Sequence, residues 1–176
     1  SSDTANDDTT GDTSSDTSQS DDTSDTAGDT GTDTSTESDP ADVTCDSAEA
    51  LTEALAAASA GDIIELSAGS YSGSFTVPTG VALRGGGEVI ITAEGGAGII
   101  LTAGSAGVTS ASTLTIIGTQ GAVVAHGDGE ISLDGLTINA ETGFALALEG
   151  VQGSLTDIQL NGPISSLDDE LLNTIG

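Results

Sequence analysis

The segment from His126 to Glu130, followed closely by Asp134, gathers the side chains best suited to chemistry in this sequence. An imidazole and several carboxylates can together move protons or hold a metal ion. However, Asp128 and Glu130 lack the ligand loop of an EF-hand, and the glycine-aspartate nonapeptide of calcium-binding β-rolls is missing. A glycine-rich turn that carries solvated carboxylates explains the same residues, and we favour that interpretation.

Three other residue types could carry a reaction. Arg84 is the only strong cation, and we assign it a structural or solvated role. Cys45 is the only cysteine, which excludes an internal disulfide and a multi-cysteine metal site, so we expect a buried or idle thiol. A serine nucleophile would have to use His126 as its base, but no Gly-x-Ser-x-Gly elbow occurs. We therefore predict no catalytic, cofactor-binding or metal-binding residue and no cofactor.

The charge of the chain excludes several classes of partner. It has 29 acidic residues against one lysine or arginine, for a formal net charge of −28. Nucleic acids and anionic lipids are bound by clustered basic side chains, so we expect neither as a partner. Polyanionic polysaccharides would be repelled unless a divalent cation bridged them. No stretch approaches the roughly 18 consecutive apolar residues of a membrane span, and the acidity suits an extracytoplasmic, secreted or cell-surface setting.

The first 40 residues have a composition of their own. They are nearly all Asp, Ser, Thr and Gly, with the pair Asp-Thr recurring, and they include no Leu, Ile, Val or aromatic side chain. Nothing there can be buried to offset the entropy of ordering the chain. We expect a disordered acidic linker over residues 1–44, with candidate O-glycosylation sites. Because the sequence lacks Met, Ser1 is not a translation start, and an acylated cysteine upstream would make this a bacterial lipoprotein.

One amphipathic helix is expected after the linker. Asp46 and Glu49 have the spacing of a capping box, with Asp46 as the N-cap. Apolar residues then recur at helical spacing, namely Leu51, Ala54, Leu55 and Ala58. Gly61 is a candidate C-terminal stop. The pattern predicts a helix over about residues 47–59 whose apolar stripe lies against another element.

From Asp62 onward, short β-rich runs alternate with glycine-containing turns. The predicted strands are Ile63–Leu66, Phe75–Val77, Val81–Leu83, Val89–Thr92, Ile99–Thr102, Leu114–Ile117, Ala122–Ala125, Ile131–Leu133, Leu136–Ile138, Phe144–Leu148 and Ser154–Leu160. Most of them are too short for a sandwich and suit one side of a coil.

A repeat of 22 residues connects these strands. Leu114, Leu136 and Ile158 align, and so do Ile116, Ile138 and Leu160, which predicts two inward columns with Thr115, Thr137 and Gln159 facing outward. The same register pairs Gly121 with Gly143, Val124 with Leu146, Ser132 with Ser154 and Leu133 with Leu155. Asn139 and Asn161 align after one strand, where stacked amides can bond along a ladder. Leucine-rich repeats share the period, but their signature and their recurring helix are absent.

The start of this region also resembles a known family. Ala60-Gly61-Asp62-Ile63-Ile64-Glu65-Leu66, then Gly69-Ser70-Tyr71, then Val81-Ala82-Leu83-Arg84-Gly85 resembles the N-terminal cap and first coils of the pectin-lyase-like superfamily. The resemblance spans roughly residues 46–92 and implies a helix that covers one end of a β-helix. In the turn Ala68-Gly69-Ser70-Tyr71, Ala68 stands where the family usually has Pro.

The resemblance implies the fold more than the activity, because the superfamily includes lyases, hydrolases, esterases and proteins without demonstrated chemistry. Its lyases use a basic residue with carboxylates that hold Ca²⁺, but Arg84 matches a structural phrase and not their catalytic arginine. Its hydrolases use paired Asp residues and a Gly-His-Gly phrase, which His126-Gly127 matches only in part because Ala125 precedes it.

The predicted fold is all-β: a right-handed single-stranded parallel β-helix of about four or five coils over residues 45–176, with an N-terminal capping α-helix and a preceding disordered acidic tail. The favoured function is a secreted or cell-surface module, structural or carbohydrate-contacting, with a polysaccharide or cell-envelope glycan as candidate partner. The alternative is the N-terminal part of a polysaccharide lyase, hydrolase or esterase whose catalytic coils lie beyond residue 176.

Overall fold

The computed structural model describes residues 41–166. The predictions for residues 1–40, including most of the acidic linker, lie outside this range, as do residues 167–176. The described elements are β1 (Val43–Cys45), α1 (Ala48–Ala57), β2 (Ile63–Leu66), β3 (Gly69–Ser72), β4 (Phe75–Val77), β5 (Ala82–Gly85), β6 (Val89–Ala93), β7 (Ile99–Ala103), β8 (Thr109–Ser112), β9 (Thr115–Gly118), β10 (Gly121–Gly127), β11 (Glu130–Asp134), β12 (Thr137–Ala140), β13 (Phe144–Glu149), β14 (Gln152–Thr156), β15 (Gln159–Asn161) and β16 (Ile164–Ser166).

The strands form three parallel sheets that the chain visits in turn. The first sheet has the order β1-β2-β5-β8-β11-β14, the second β15-β12-β9-β6-β3 and the third β16-β13-β10-β7-β4. Each coil contributes one strand to each sheet, so β2 to β16 make five coils. The described region is therefore a parallel β-helix, which confirms the predicted architecture and the predicted number of coils. Its right-handed sense stays a prediction, in line with the strong preference of parallel crossover connections.

The inside of the coils is a continuous apolar column, and the predicted inward positions lie in it. Thr137 pairs with Thr115 on one side and with Gln159 on the other, which fixes the 22-residue register in the second sheet. Leu114, Leu136, Ile116 and Ile138 are buried, and in the last coil Ile158 and Leu160 pack against the same core. The alternation of inward and outward side chains is confirmed.

The 22-residue register does not extend to the third sheet. Val123 pairs with Leu146 and Gly121 with Phe144, so the predicted matches of Val124 with Leu146 and of Gly121 with Gly143 are wrong by one residue. The shift arises at the corner after β12. Thr142 N–H still donates to Thr119 O with the offset that Thr137 N–H has to Leu114 O, whereas Phe144 already pairs with Gly121. The extra residue is therefore Gly143.

Several predicted boundaries also change. The single strand predicted over Ser154–Leu160 is two strands, β14 and β15, because Asp157 has a φ of 50° and turns the chain. The predicted turn at Gly69–Tyr71 is strand β3, and β8 was not predicted because its sequence is Thr-Ser-Ala-Ser. Strand β1 begins at Val43, inside the range assigned to the linker, and pairs with β2.

Helix α1 covers the N-terminal end of the apolar column. Its N-cap is Ser47, whose Oγ accepts from Ala50 N–H at 3.2 Å. The capping box predicted from Asp46 to Glu49 is therefore wrong, because Ala50 holds the third helical position and has no side chain that could reach back. The helix ends at Ala57, before the predicted stop at Gly61, because Ala58 is already extended. Leu51 and Leu55 are buried in the core, as the helical periodicity predicted. No helix within residues 41–166 has the length and apolarity that would let it cross a membrane.

Candidate functional site

The structure separates the side chains of His126, Asp128, Glu130 and Asp134, which are close together in the sequence. His126 is near the end of β10, where its neighbours across the sheet are Thr102 and Glu149. Glu130 and Asp134 are at opposite ends of β11, so their Cα atoms are ~13 Å apart at the rise of a strand. Asp128 and Glu130 line an open depression of about 560 Å³ together with Gln152, Gly153 and Ser154. The acidic neighbour of His126 across the sheet is therefore Glu149, which was not singled out from the sequence, whereas Asp134 lies on another sheet.

The glycines of this segment have a packing role. A Cβ on Gly127 would lie 2.0 Å from Ala103 O, and one on Gly129 would lie 2.1 Å from Gly104 N. Side chains cannot come so close to the backbone of the preceding coil. The stacking of successive turns thus explains why glycine occupies both positions. The packing therefore favours the interpretation of this segment as a glycine-rich turn with exposed carboxylates, and not as a catalytic loop.

Arg84 is tied to the coil before it. Its Nε donates to Glu65 Oε2 at 2.9 Å, and the two residues are direct neighbours in the first sheet. On its other side Arg84 pairs with Ser112 of β8. Because the guanidinium is engaged by a neighbouring coil, it has a structural role at this position.

Cys45 and Tyr71 form a buried polar junction beneath the capped end. The Tyr71 hydroxyl lies 2.8 Å from Cys45 O and 2.9 Å from Ser67 O, so its single proton is shared between two carbonyls. Burial, with a smaller effect of the Asp46 carboxylate, raises the pKa of the Cys45 thiol. A thiol with a raised pKa stays protonated and is a poor nucleophile. The thiol is buried, as predicted. The role of the Tyr71 hydroxyl, which joins β1 to the first coil, was not predicted from the sequence.

No three His, Cys, Asp or Glu side chains come close enough to hold a metal ion within the described range. The described carboxylates and the imidazole are spread over several coils and corners.

The outer surface of the second sheet differs in charge from that of the first sheet. The inward positions of its strands are filled by buried side chains, including Tyr71, Ile91, Ile116 and Ile138. The ten outward positions form what we call the neutral face, because none carries a charge although the chain has a net charge of −28: Ser70, Ser72, Ile90, Thr92, Thr115, Ile117, Thr137, Asn139, Gln159 and Asn161. The outward positions of the first sheet, in contrast, include Glu65, Arg84, Glu130 and Asp134.

The neutral face is a regular array. Its five strands are in parallel register, so side chains repeat about every 4.8 Å from coil to coil and about every 6.6 Å along a strand. Asn161 Nδ2 donates to Asn139 Oδ1 at 2.6 Å, which confirms the predicted amide ladder. At one corner, Ser72, Gly73, Thr92 and Glu94 line a depression of about 380 Å³. Four of the ten positions escaped the sequence analysis because β3 and β6 do not follow the 22-residue period.

Comparisons with known proteins add little to these observations. No protein-family model matches the chain, and no curated protein matches it. Among solved structures, the crystal structure of alginate lyase from Paenibacillus sp. str. FPU-7 matches with 16% sequence identity and a TM-score of 0.43, over 65% of this chain and 60% of that chain. At that level the match carries no argument about activity. The strand pairing itself defines the class, which is that of parallel β-helix proteins.

Proposed function

We propose that this chain is a secreted or cell-surface β-helix module of the pectin-lyase-like superfamily that contacts neutral carbohydrate through its neutral face. The acidic segment over residues 1–40 holds the module away from its attachment point, which is a lipid anchor upstream of Ser1. The observation that carries the proposal is the set of ten uncharged outward positions on one sheet of a strongly acidic protein.

The chemistry of the neutral face suits sugar hydroxyls. Hydroxyl and amide groups donate and accept hydrogen bonds, and the methyl groups of Thr and Ile pack against the C–H groups of sugar rings. No charge has to be stripped of water on binding, which is the largest cost of burying polar groups. A neutral glycan also avoids the repulsion that the net charge of −28 imposes on an acidic one.

The proposal is tested by placing one charge on or off the neutral face. Thr137→Asp introduces it on β12, and the control Ser132→Asp introduces it at an outward position of the first sheet in the same coil. Affinity electrophoresis through gels that contain a neutral β-glucan, a neutral mannan or polygalacturonate measures binding. The neutral gels should retard the unmodified protein and Ser132→Asp but not Thr137→Asp. Equal retardation of both variants, or retention by polygalacturonate alone, would overturn the proposal.

A second candidate function is the N-terminal part of a polysaccharide-active enzyme. It is favoured by the last described coil, in which Leu155, Ile158 and Leu160 are only partly buried and no described strand pairs beyond β14, β15 or β16. A further coil would complete this packing. The assay is product release from polygalacturonate and from its methyl ester, with and without Ca²⁺. We expect none from this chain, whereas turnover abolished by His126→Ala or Asp128→Ala would establish a catalytic site at the β10–β11 turn.

A further inference from the structure

The neutral face lacks the features that grip a single sugar chain. Sites for small or flexible ligands are usually concave, but the outer surface of this sheet is an in-register array of five strands with one shallow depression at a corner. The chain has three aromatic residues in all. Tyr71 and Phe75 are buried in the core, and Phe144 is exposed on the third sheet, so none provides a platform for stacking a sugar ring on the neutral face.

The neutral face is also unusually preorganised. Five of its ten side chains are β-branched, and such side chains have few rotamers to lose on binding. The Asn139 and Asn161 amides are held together by their own hydrogen bond. Between Cα atoms the array extends ~19 Å across the strands. A rigid, periodic surface of this kind gains most from a partner that is also rigid and periodic, because neither side then loses conformational entropy.

From this we infer that the neutral face binds the flat surface of an ordered, insoluble neutral polysaccharide, in which parallel chains are packed side by side. The inference depends on the proposed function and narrows its ligand class. The absence of charge on this face complements an uncharged partner. The repeating hydroxyl, amide and methyl groups meet the repeating hydroxyl groups and C–H faces of adjacent chains.

The test compares ordered and disordered forms of one polymer. The protein is mixed with microcrystalline cellulose, acid-swollen amorphous cellulose and soluble cello-oligosaccharides, and depletion from the supernatant or heat of binding is measured. The same series is repeated with crystalline and colloidal chitin. We expect at least tenfold more protein bound per accessible area on a crystalline form than on the amorphous form, and weaker binding still of the soluble oligosaccharides.

A bulky, uncharged side chain on the neutral face tests the need for a flat contact without changing the charge. Thr137→Tyr adds an aromatic ring that protrudes from the face, so binding to the crystalline form should fall while binding to soluble chains stays the same or rises. Ser132→Tyr on the first sheet is the control and should leave crystalline binding unchanged. Thermal melts confirm that each variant is folded.

The outcomes distinguish the inference from the proposed function. Equal binding to crystalline, amorphous and soluble forms, or improved crystalline binding of Thr137→Tyr, would overturn the inference and leave the proposed function standing. A protein that binds no neutral glycan in any form would overturn both. Growth inhibition of ice crystals without glycan binding would also overturn both, since the ordered partner would then not be a carbohydrate.

Discussion

At the N-terminal end of the β-helix, α1 lays Leu51 and Leu55 over the apolar column, whereas at the other end Leu155 and Leu160 are only partly buried. The capped end also has a polar junction, in which the Tyr71 hydroxyl joins two carbonyls. In the last described coil, the polar ladders are on the outside, between Ser132 and Ser154 and between Asn139 and Asn161.

The difference shows that equivalent positions in a β-helix do not contribute equally. A side chain that points inward is buried only if a coil or a cap lies on both sides of it, since a single coil cannot bury its own apolar side chains. Leu133 and Leu155 occupy the same position 22 residues apart, yet Leu133 is 0% exposed and Leu155 is only partly buried. The predictions that follow exploit this contrast.

The largest effect is expected from a charge in the middle of the column. Leu136→Asp places a carboxylate between Leu114 and Ile158, where it has neither water nor a partner, and should lower the free energy of unfolding by roughly 3–5 kcal/mol. Thr137→Asp points outward and should cost less than about 1 kcal/mol. Urea unfolding followed by circular dichroism measures both. Similar losses from the two adjacent substitutions would contradict the inward and outward assignment.

The next effect compares the same position in two coils. Leu133→Ala removes a fully buried side chain and should cost about 2–5 kcal/mol, because it leaves a cavity between coils. Leu155→Ala removes a partly solvated side chain and should cost well under half as much. Both values come from the same denaturant titration. If the two losses are equal, the last described coil is covered as completely as the one before it.

A smaller effect is the loss of stability at alkaline pH that arises from Cys45 and Tyr71 at the capped end. Burial raises the pKa of the Cys45 thiol above its ordinary value of 9.0, and burial likewise raises the pKa of Tyr71 above 10.0. The folded state thus holds these protons more tightly than the unfolded state does. Stability should be level below about pH 8.5 and should fall as the pH rises, by at most ~1.4 kcal/mol per pH unit for each group.

Substitution at Cys45 isolates one of these two contributions. Cys45→Ala should remove the part of the alkaline loss due to the thiol and reduce, without abolishing, the part due to Tyr71, because burial raises the Tyr71 pKa most and the Cys45 thiolate adds to it. Unfolding midpoints at pH 7.5, 9 and 10 are compared for the two proteins. An unchanged profile in Cys45→Ala would assign the alkaline loss to other groups.

The smallest effect is a gain in stability from a substitution at a corner between two sheets. Thr113, Gly135 and Asp157 occupy the same turn between the first and second sheets in three successive coils, all with positive φ, of 56°, 59° and 50°. A β-branched residue is strained there, so Thr113→Gly should stabilise the protein by about 0.5–1 kcal/mol. Asp157→Gly should gain less, because Asp tolerates this conformation better. Gly135→Ala is the reverse control and should destabilise.

Much of the fold could be predicted from local sequence patterns. Ile63–Leu66 and Phe75–Val77 are strands with the predicted bounds, and the columns through Leu136 and Ile138 are where the repeat placed them. Strands β3 and β8 could not be recognised, because their outward positions are all Ser and each has a single buried apolar side chain, Tyr71 or Ala111. Polar residues on a solvated face resemble those of a turn until the neighbouring strands are known.

The candidate site was harder to predict than the fold. The residues from His126 to Glu130 are adjacent in sequence, but the strand directions place His126 beside Glu149 and leave Asp134 at the far end of β11. The neutral face, in turn, has no signature in any one strand. It arises because outward side chains from five coils come together on one sheet.

In the strands of the 22-residue repeat, such as β9 and β12, the sequence by itself determined which side chains point inward, because a period of two is a local property of extended backbone. It also determined the helix and its buried side through Leu51 and Leu55. Only the tertiary structure decided which residues of neighbouring coils pair, since one extra residue at a corner, such as Gly143, shifts the third sheet and leaves the second unchanged. At each end of the β-helix, the burial of the inward side chains depends on whether another segment covers the terminal coil. That contact is a property of the tertiary structure.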